Sequence, residues 1–168
     1  KSRDGYVFGQ TSDHEKRFAE DAAIIADCAP NYRLSLMWSK LQRAPFAEFD
    51  KATVAEYKSF LDDLKGRGVD IMMVLHHFTN PTWFAEKGGW EKEENIALWV
   101  DFAKKVTDEF GSYVSYWNTF NEPNVYVSGG WVIGNFPPHK SNLLTAFKVI
   151  KHLGKAHHIM YDYIKQQF

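Results

Sequence analysis

Glu122 occupies the setting that most favours chemistry. It lies in Ser115-Tyr-Trp-Asn-Thr-Phe-Asn-Glu-Pro-Asn124, which reads as a short strand running out into an Asn-Glu-Pro turn. Tyr116, Trp117, Thr119 and Phe120 favour extended backbone. Pro123 cannot donate to a sheet ladder, so the strand stops there and leaves Glu122 at its carboxyl end. The preceding Asn121 offers an amide that both donates and accepts. A carboxyl beside an amide at a strand end suits proton transfer to a sugar oxygen, with a hydrogen bond to a neighbouring hydroxyl. The plain alternative is a loop glutamate facing water.

Two other positions break their local pattern. Arg33 sits inside the apolar run Asn31–Ser39 (NYRLSLMWS). If that strand is buried, its guanidinium requires a carboxylate or other acceptors, either in a structural ion pair or beside an acidic catalytic site. His76 and His77 close the run Val69–Phe78 (VDIMMVLHHF). Adjacent strand residues point to opposite faces, so the pair is not suited to sharing a metal. One ring is expected inside the sheet and the other towards a helix layer. His152, His157 and His158 fall on a helix as surface or packing residues.

Several elements must position these groups. Residues 1–11 read as loop. Ser12 and Glu15 fit a capping box for a helix whose buried face is Phe18, Ala22 and Ile25, and Pro30 ends it. A helix over Lys51–Lys65 carries Val54, Tyr57, Leu61 and Leu64 inward, with Gly66 and Gly68 as its stop. Pro81–Trp90 reads as a long aromatic loop. Ile96, Trp99, Ala103, Val106 and Phe110 mark the next helix. A Gly- and Pro-marked loop over Tyr126–Lys140 precedes a last helix capped by Ser141. Strands and helices therefore alternate, which predicts an α/β fold with a parallel sheet. Arg33 and His77 are 44 positions apart, and so are His77 and Asn121 (77 − 33 and 121 − 77). Polar residues on successive strands, with long loops on one side, are the mark of a (β/α)8 barrel.

The chain has 168 residues, 45% of them apolar, enough for one core. A net charge of −1 supplies neither a nucleic-acid face nor a polybasic membrane signal. Cys28 is the only cysteine, which excludes an internal disulfide and a cysteine-rich metal site; a buried, inert thiol is expected. No apolar run approaches the ~18 residues of a membrane span. No signal peptide is visible and the expected location is cytoplasmic, although the chain opens on Lys1.

Four stretches together resemble family 1 glycoside hydrolases, the β-glucosidase and β-galactosidase family. They are Ser12-Asp-His14 with Arg17-Phe18 and Glu20-Asp21, Tyr32-Arg-Leu-Ser-Leu-Met-Trp-Ser39, Leu75-His-His-Phe-Thr-Asn-Pro81 with Gly88-Gly-Trp90, and Thr119-Phe-Asn-Glu-Pro123. Asn-Glu-Pro also occurs in cellulase-like retaining barrels, but His77 and the Gly-Gly-Trp90 context argue against that assignment. The resemblance implies a partial (β/α)8 TIM barrel over residues 1–168, one domain comprising strands two to four and their helices. It implies a β-glycoside or oligosaccharide substrate and retaining hydrolysis. Glu122 matches the catalytic acid/base. Asn121 matches the group that binds the sugar 2-hydroxyl, and His77 the sugar-binding histidine. Arg33 matches the arginine beside the nucleophile. Phe78 stands where the family usually has Trp, which removes an indole N–H. Asn124 and Lys40 also depart from the pattern. No metal or organic cofactor is implied.

One absence matters more. The family's nucleophile lies in a Glu-Asn-Gly-like motif, and no Glu-Asn-Gly occurs in this sequence. The first strand's sugar-binding glutamine and the late tryptophan cluster are missing too. The chain is therefore expected to act only when completed by the remaining strands: with its open sheet edges it is expected to associate with itself, to need a partner carrying those strands, or to be an excerpt of a larger enzyme. The alternative is a non-catalytic half-barrel that is inactive or binds sugar weakly.

Overall fold

The computed structural model describes residues 12–168, so the expected loop over residues 1–11 lies outside it. Three strands form one parallel sheet in the order β1-β2-β3: β1 is Asn31–Ser35, β2 is Asp70–His76 and β3 is Tyr116–Phe120. The helices are α1 (Phe18–Cys28), α2 (Trp38–Leu41), α3 (Lys51–Gly66), α4 (Thr82–Glu86), α5 (Ile96–Phe110), α6 (Pro123–Val127) and α7 (Leu143–Gln167). The crossovers through α3 and α5 each return the chain to a neighbouring parallel strand. Among the described residues β1 and β3 are both edge strands.

The helices cover one face of this sheet. Ile71, Met73 and Leu75 of β2 are buried against Phe60, Leu61 and Leu64 of α3 and Trp99, Phe102 and Phe110 of α5, all within one core. Phe120 stacks on Trp99 with ring centres 4.4 Å apart, and Trp38 stacks on Phe102 at 5.1 Å. Burying large aromatic surfaces is the main stabilising term here. The register aligns Arg33, Met72 and Tyr116 in one row and Ser35, Val74 and Asn118 in the next. Paired residues share a face, and on this one Arg33 and Ser35 are exposed and Tyr116 is 57% exposed. This is the face that a closed barrel turns inward.

Several local expectations are corrected. The first strand ends at Ser35 rather than Ser39, and it is not buried on both faces, because helices cover only one of them. Ser12 and Glu15 cap no helix. His14–Lys16 forms a 3-10 turn, α1 begins at Phe18 without a side-chain cap, and Glu15 pairs with Lys40 instead. Asn142, not Ser141, caps α7, its side chain accepting from the Thr145 N–H at 3.0 Å. Ser141 donates to the Val132 carbonyl. Cys28 closes α1 as the spacing requires, but it is exposed. The two presumed loops contain structure: α4 and a 3-10 turn at Gly89–Glu91 in the first, α6 and a π-helical turn at Ser128–Ile133 in the second. Their aromatic residues explain this, since Phe84, Trp90, Tyr126 and Trp131 are all buried. Among the described residues no helix is long and apolar enough to cross a membrane.

Candidate active site

Parallel strands put their carboxyl ends at one edge, and there the polar anomalies gather. Arg33 projects from the middle of β1, His77 follows β2, and Asn121 and Glu122 follow β3. The Arg33 Nη2 donates to Asn121 Oδ1 at 2.7 Å, across 88 positions of sequence. This corrects the expectation that Arg33 is buried, since it is exposed; its acceptor is an amide, one of the partners left open to it besides a carboxylate. The bond fixes the amide. Asn121 accepts through its oxygen, so its Nδ2 is left to donate to a bound hydroxyl. Among the described residues this bond uses one guanidinium N–H, and Arg has five.

Glu122 is exposed, with φ 41° and ψ 58°, in the left-handed region. That conformation is costly for a residue with a side chain, by roughly 1–3 kcal/mol, and such outliers cluster at functional sites. Pro123 at the first turn of α6 adds its own restriction on the preceding residue. The turn is held because the Glu122 carbonyl accepts from the Tyr126 N–H at 3.0 Å and the Asn121 N–H reaches the His76 carbonyl at 2.9 Å. Phe78 is a second outlier at the same edge, with φ 64°. Its ring lies parallel to Tyr126 at 6.0 Å and meets the His77 ring edge-on at 5.2 Å.

The two histidines separate. His77 is half-buried, with Nδ1 3.4 Å from Ser35 Oγ. Partial burial and then the Arg33 charge lower its pKa, while the Glu122 charge opposes them. The ring is therefore held neutral near neutrality, able to donate through one nitrogen and accept through the other. His76 is buried among Trp90, Phe120 and Tyr126. Arg33, Ser35 and His77 line a cavity of about 600 Å³ with Tyr32, Met37 and Lys40, while Asn121 and Glu122 stand outside it. His157 and His158 are exposed on α7; His152 is buried, its Nδ1 2.8 Å from the Trp90 carbonyl. Among the described residues no three or more His, Cys, Asp or Glu side chains gather closely enough to hold a metal.

His76 makes stability depend on pH. Burial pushes its pKa from an ordinary 6.5 down to about 4, although the Asn80 hydrogen bond opposes this. Between those values the unfolded chain binds a proton that the native state refuses. Stability is thus complete above the unfolded value and is lost as pH falls through the window. A shift of that size corresponds to roughly 2–4 kcal/mol. Urea unfolding at pH 7 and pH 4.5 should show the loss, and His76→Gln should remove most of the difference. Parallel decline of both proteins would assign the acid sensitivity to other groups.

Asn80 and Tyr126 escape sequence reasoning. Asn80 Nδ2 donates to the Tyr126 hydroxyl at 2.8 Å, and Asn80 Oδ1 lies 3.1 Å from His76 Nε2 and 3.3 Å from Trp90 Nε1. In sequence an asparagine before a proline signals only a turn.

Residues 2–168 match the sequence profile of Glycosyl hydrolase family 1. Beta-glucosidase 1 of Arabidopsis thaliana is 30% identical over 124 residues, covering 73% of this chain and 24% of that protein. A 6-phospho-beta-galactosidase of Clostridium acetobutylicum is 31% identical over 138 residues, covering 81% and 29%. A beta-glycosidase from Pyrococcus horikoshii superposes with a TM-score of 0.88 at 34% identity, covering 93% of this chain and 37% of that one. The chain thus spans less than a third of the length of these two curated relatives.

Proposed function

Because this chain belongs to glycosyl hydrolase family 1, we propose that it supplies strands two to four of a (β/α)8 barrel and the acid/base half of a retaining β-glycosidase. One observation carries the reading: the 2.7 Å Arg33–Asn121 bond joins the first strand's arginine to the residue before Glu122. It sets a guanidinium, a donating amide and a carboxyl at one mouth of the sheet.

The reaction then divides into two displacements. In the first, a carboxylate on the complementary strands attacks the anomeric carbon. The bond to the leaving oxygen breaks, and Glu122 gives that oxygen its proton. In the second, Glu122 takes a proton from water, the water oxygen bonds to the anomeric carbon, and the nucleophile's carboxylate departs. Retaining geometry places the two carboxyls ~5 Å apart. Asn121 Nδ2 would hold the sugar 2-hydroxyl, His77 a further hydroxyl, and Phe78 would contact the ring without an N–H donor. The unused guanidinium donors of Arg33 would hold the second carboxylate. The names of the relatives, β-glucosidase and 6-phospho-β-galactosidase, support a β-linked glycoside as substrate.

Completion is central to the proposal. Among the described residues the edges of β1 and β3 are open and the inner face carries exposed and half-exposed side chains. A complementary segment, or a second copy of the chain, would cover them. The test is hydrolysis of p-nitrophenyl β-glycosides by the chain alone and by the chain with a segment carrying the remaining strands. Turnover in the mixture only is the expected result. Silence in both would favour the non-catalytic half-barrel.

A further inference from the structure

The amide of Asn80 joins two pieces of the site that the sequence keeps 46 positions apart. Its surroundings determine its orientation. An indole N–H only donates, so the Asn80 atom facing Trp90 Nε1 at 3.3 Å must be the oxygen. The same oxygen faces His76 Nε2 at 3.1 Å, so that nitrogen carries the imidazole proton. The amide nitrogen is then turned to the Tyr126 hydroxyl at 2.8 Å, which accepts. Three of the four participants are nearly inaccessible: Trp90 is 1% exposed, His76 3% and Tyr126 4%. Buried polar groups satisfied in this way fix a single arrangement, because any other leaves a donor unpaired.

Each end of this bridge abuts a site residue. His76 immediately precedes His77, and its ring is clamped edge-on by Trp90 at 5.5 Å and Tyr126 at 5.2 Å. Tyr126 lies one helical turn beyond Glu122 and donates its backbone N–H to the Glu122 carbonyl. Tyr126 also carries Phe78 on its ring face. The segment after β2 and the turn after β3 are therefore coupled through one side chain rather than by sheet hydrogen bonds alone.

From this geometry we infer that Asn80 is a positioning residue, its amide setting the separation between His77 and Glu122. The inference rests on the reading of those two residues given above, but its test needs no catalysis. Glu122 and His77 interact electrostatically, so Glu122→Gln lowers the His77 titration midpoint followed by NMR of the ring protons. The size of that shift measures how closely the two groups are held. It is to be compared in the unaltered chain, in Asn80→Ala and in Tyr126→Phe. The last removes a single oxygen and keeps the ring, so it guards against a variant that does not fold.

The expected result is a Glu122→Gln effect on His77 reduced to roughly half or less in either background, as an interaction energy in a double-mutant cycle. The His76 ring in the unaltered chain should also show Nε2 protonated. A His77 shift unchanged in both backgrounds would overturn the inference and make Asn80 a packing residue. If the coupling behaves as expected while the completed protein hydrolyses no glycoside, the functional reading fails and the bridge stands.

Discussion

Glu122→Gln is expected to lower the turnover of the completed enzyme on an alkyl β-glycoside by roughly 10²–10⁴-fold, the usual contribution of a positioned general acid/base. The amide matches the carboxyl in shape but cannot deliver or receive the proton. The size of the loss should follow the leaving group. A dinitrophenolate departs as an anion, so its first displacement needs no proton and remains fast. Water activation is still impaired, the glycosyl-enzyme accumulates, and KM falls together with kcat. Azide, which attacks without giving up a proton, should restore turnover on that substrate. Equal losses of kcat/KM on both substrates would mean that Glu122 does not donate the proton. A loop glutamate facing water would produce neither pattern. The backbone favours the catalytic reading, since φ 41° before a proline is an unlikely conformation for a surface glutamate without a role.

The second large effect concerns stability. Trp90 is 1% exposed and packs against His76, Phe84, Trp99 and Phe120. Its indole N–H reaches Asn80, and its carbonyl accepts from the buried His152. Trp90→Ala should cost about 3–5 kcal/mol, the range for emptying a buried aromatic site. That is a large share of the 5–15 kcal/mol typical of a whole domain. Trp90→Phe keeps one six-membered ring but loses the N–H and three ring atoms, so a smaller loss of about 1–3 kcal/mol is expected. Urea midpoints at pH 7 separate the two contributions. A loss below about 1 kcal/mol for Trp90→Ala would show that the helix layer near β3 is not packed as described.

Much of this architecture is legible in the sequence, and the exceptions have physical causes. The helix over Ile96–Phe110 declares itself because Ile96, Trp99, Ala103, Val106 and Phe110 fall on one face and all five are buried. The strand ends at His76 and Phe120 are marked by the prolines that follow. The short helices α4 and α6 have five residues each, too few for a periodic stripe, and their leading prolines read as strand exits. Arg33 shows where local reading stops. Its strand has the composition of a buried element, but whether its side chain is covered depends on strands far away in the complete barrel. The capping of α1 fails for a related reason, since Glu15 is drawn to Lys40 rather than to the helix start. The bridge through Asn80 is the least legible feature, because it depends on Trp90 and Tyr126 approaching from separate loops.

A last consequence concerns how the two carboxyls are distributed. If one is Glu122 and the other arrives with the complementary strands, neither part should act alone, and the assembled pair should attack the sugar twice. Proton NMR of the first sugar released from a β-glycoside reads both points at once. The completed protein should liberate the β-anomer before mutarotation, and the 168-residue chain by itself should liberate none. Release of the α-anomer, or cleavage by the chain alone, would contradict the account.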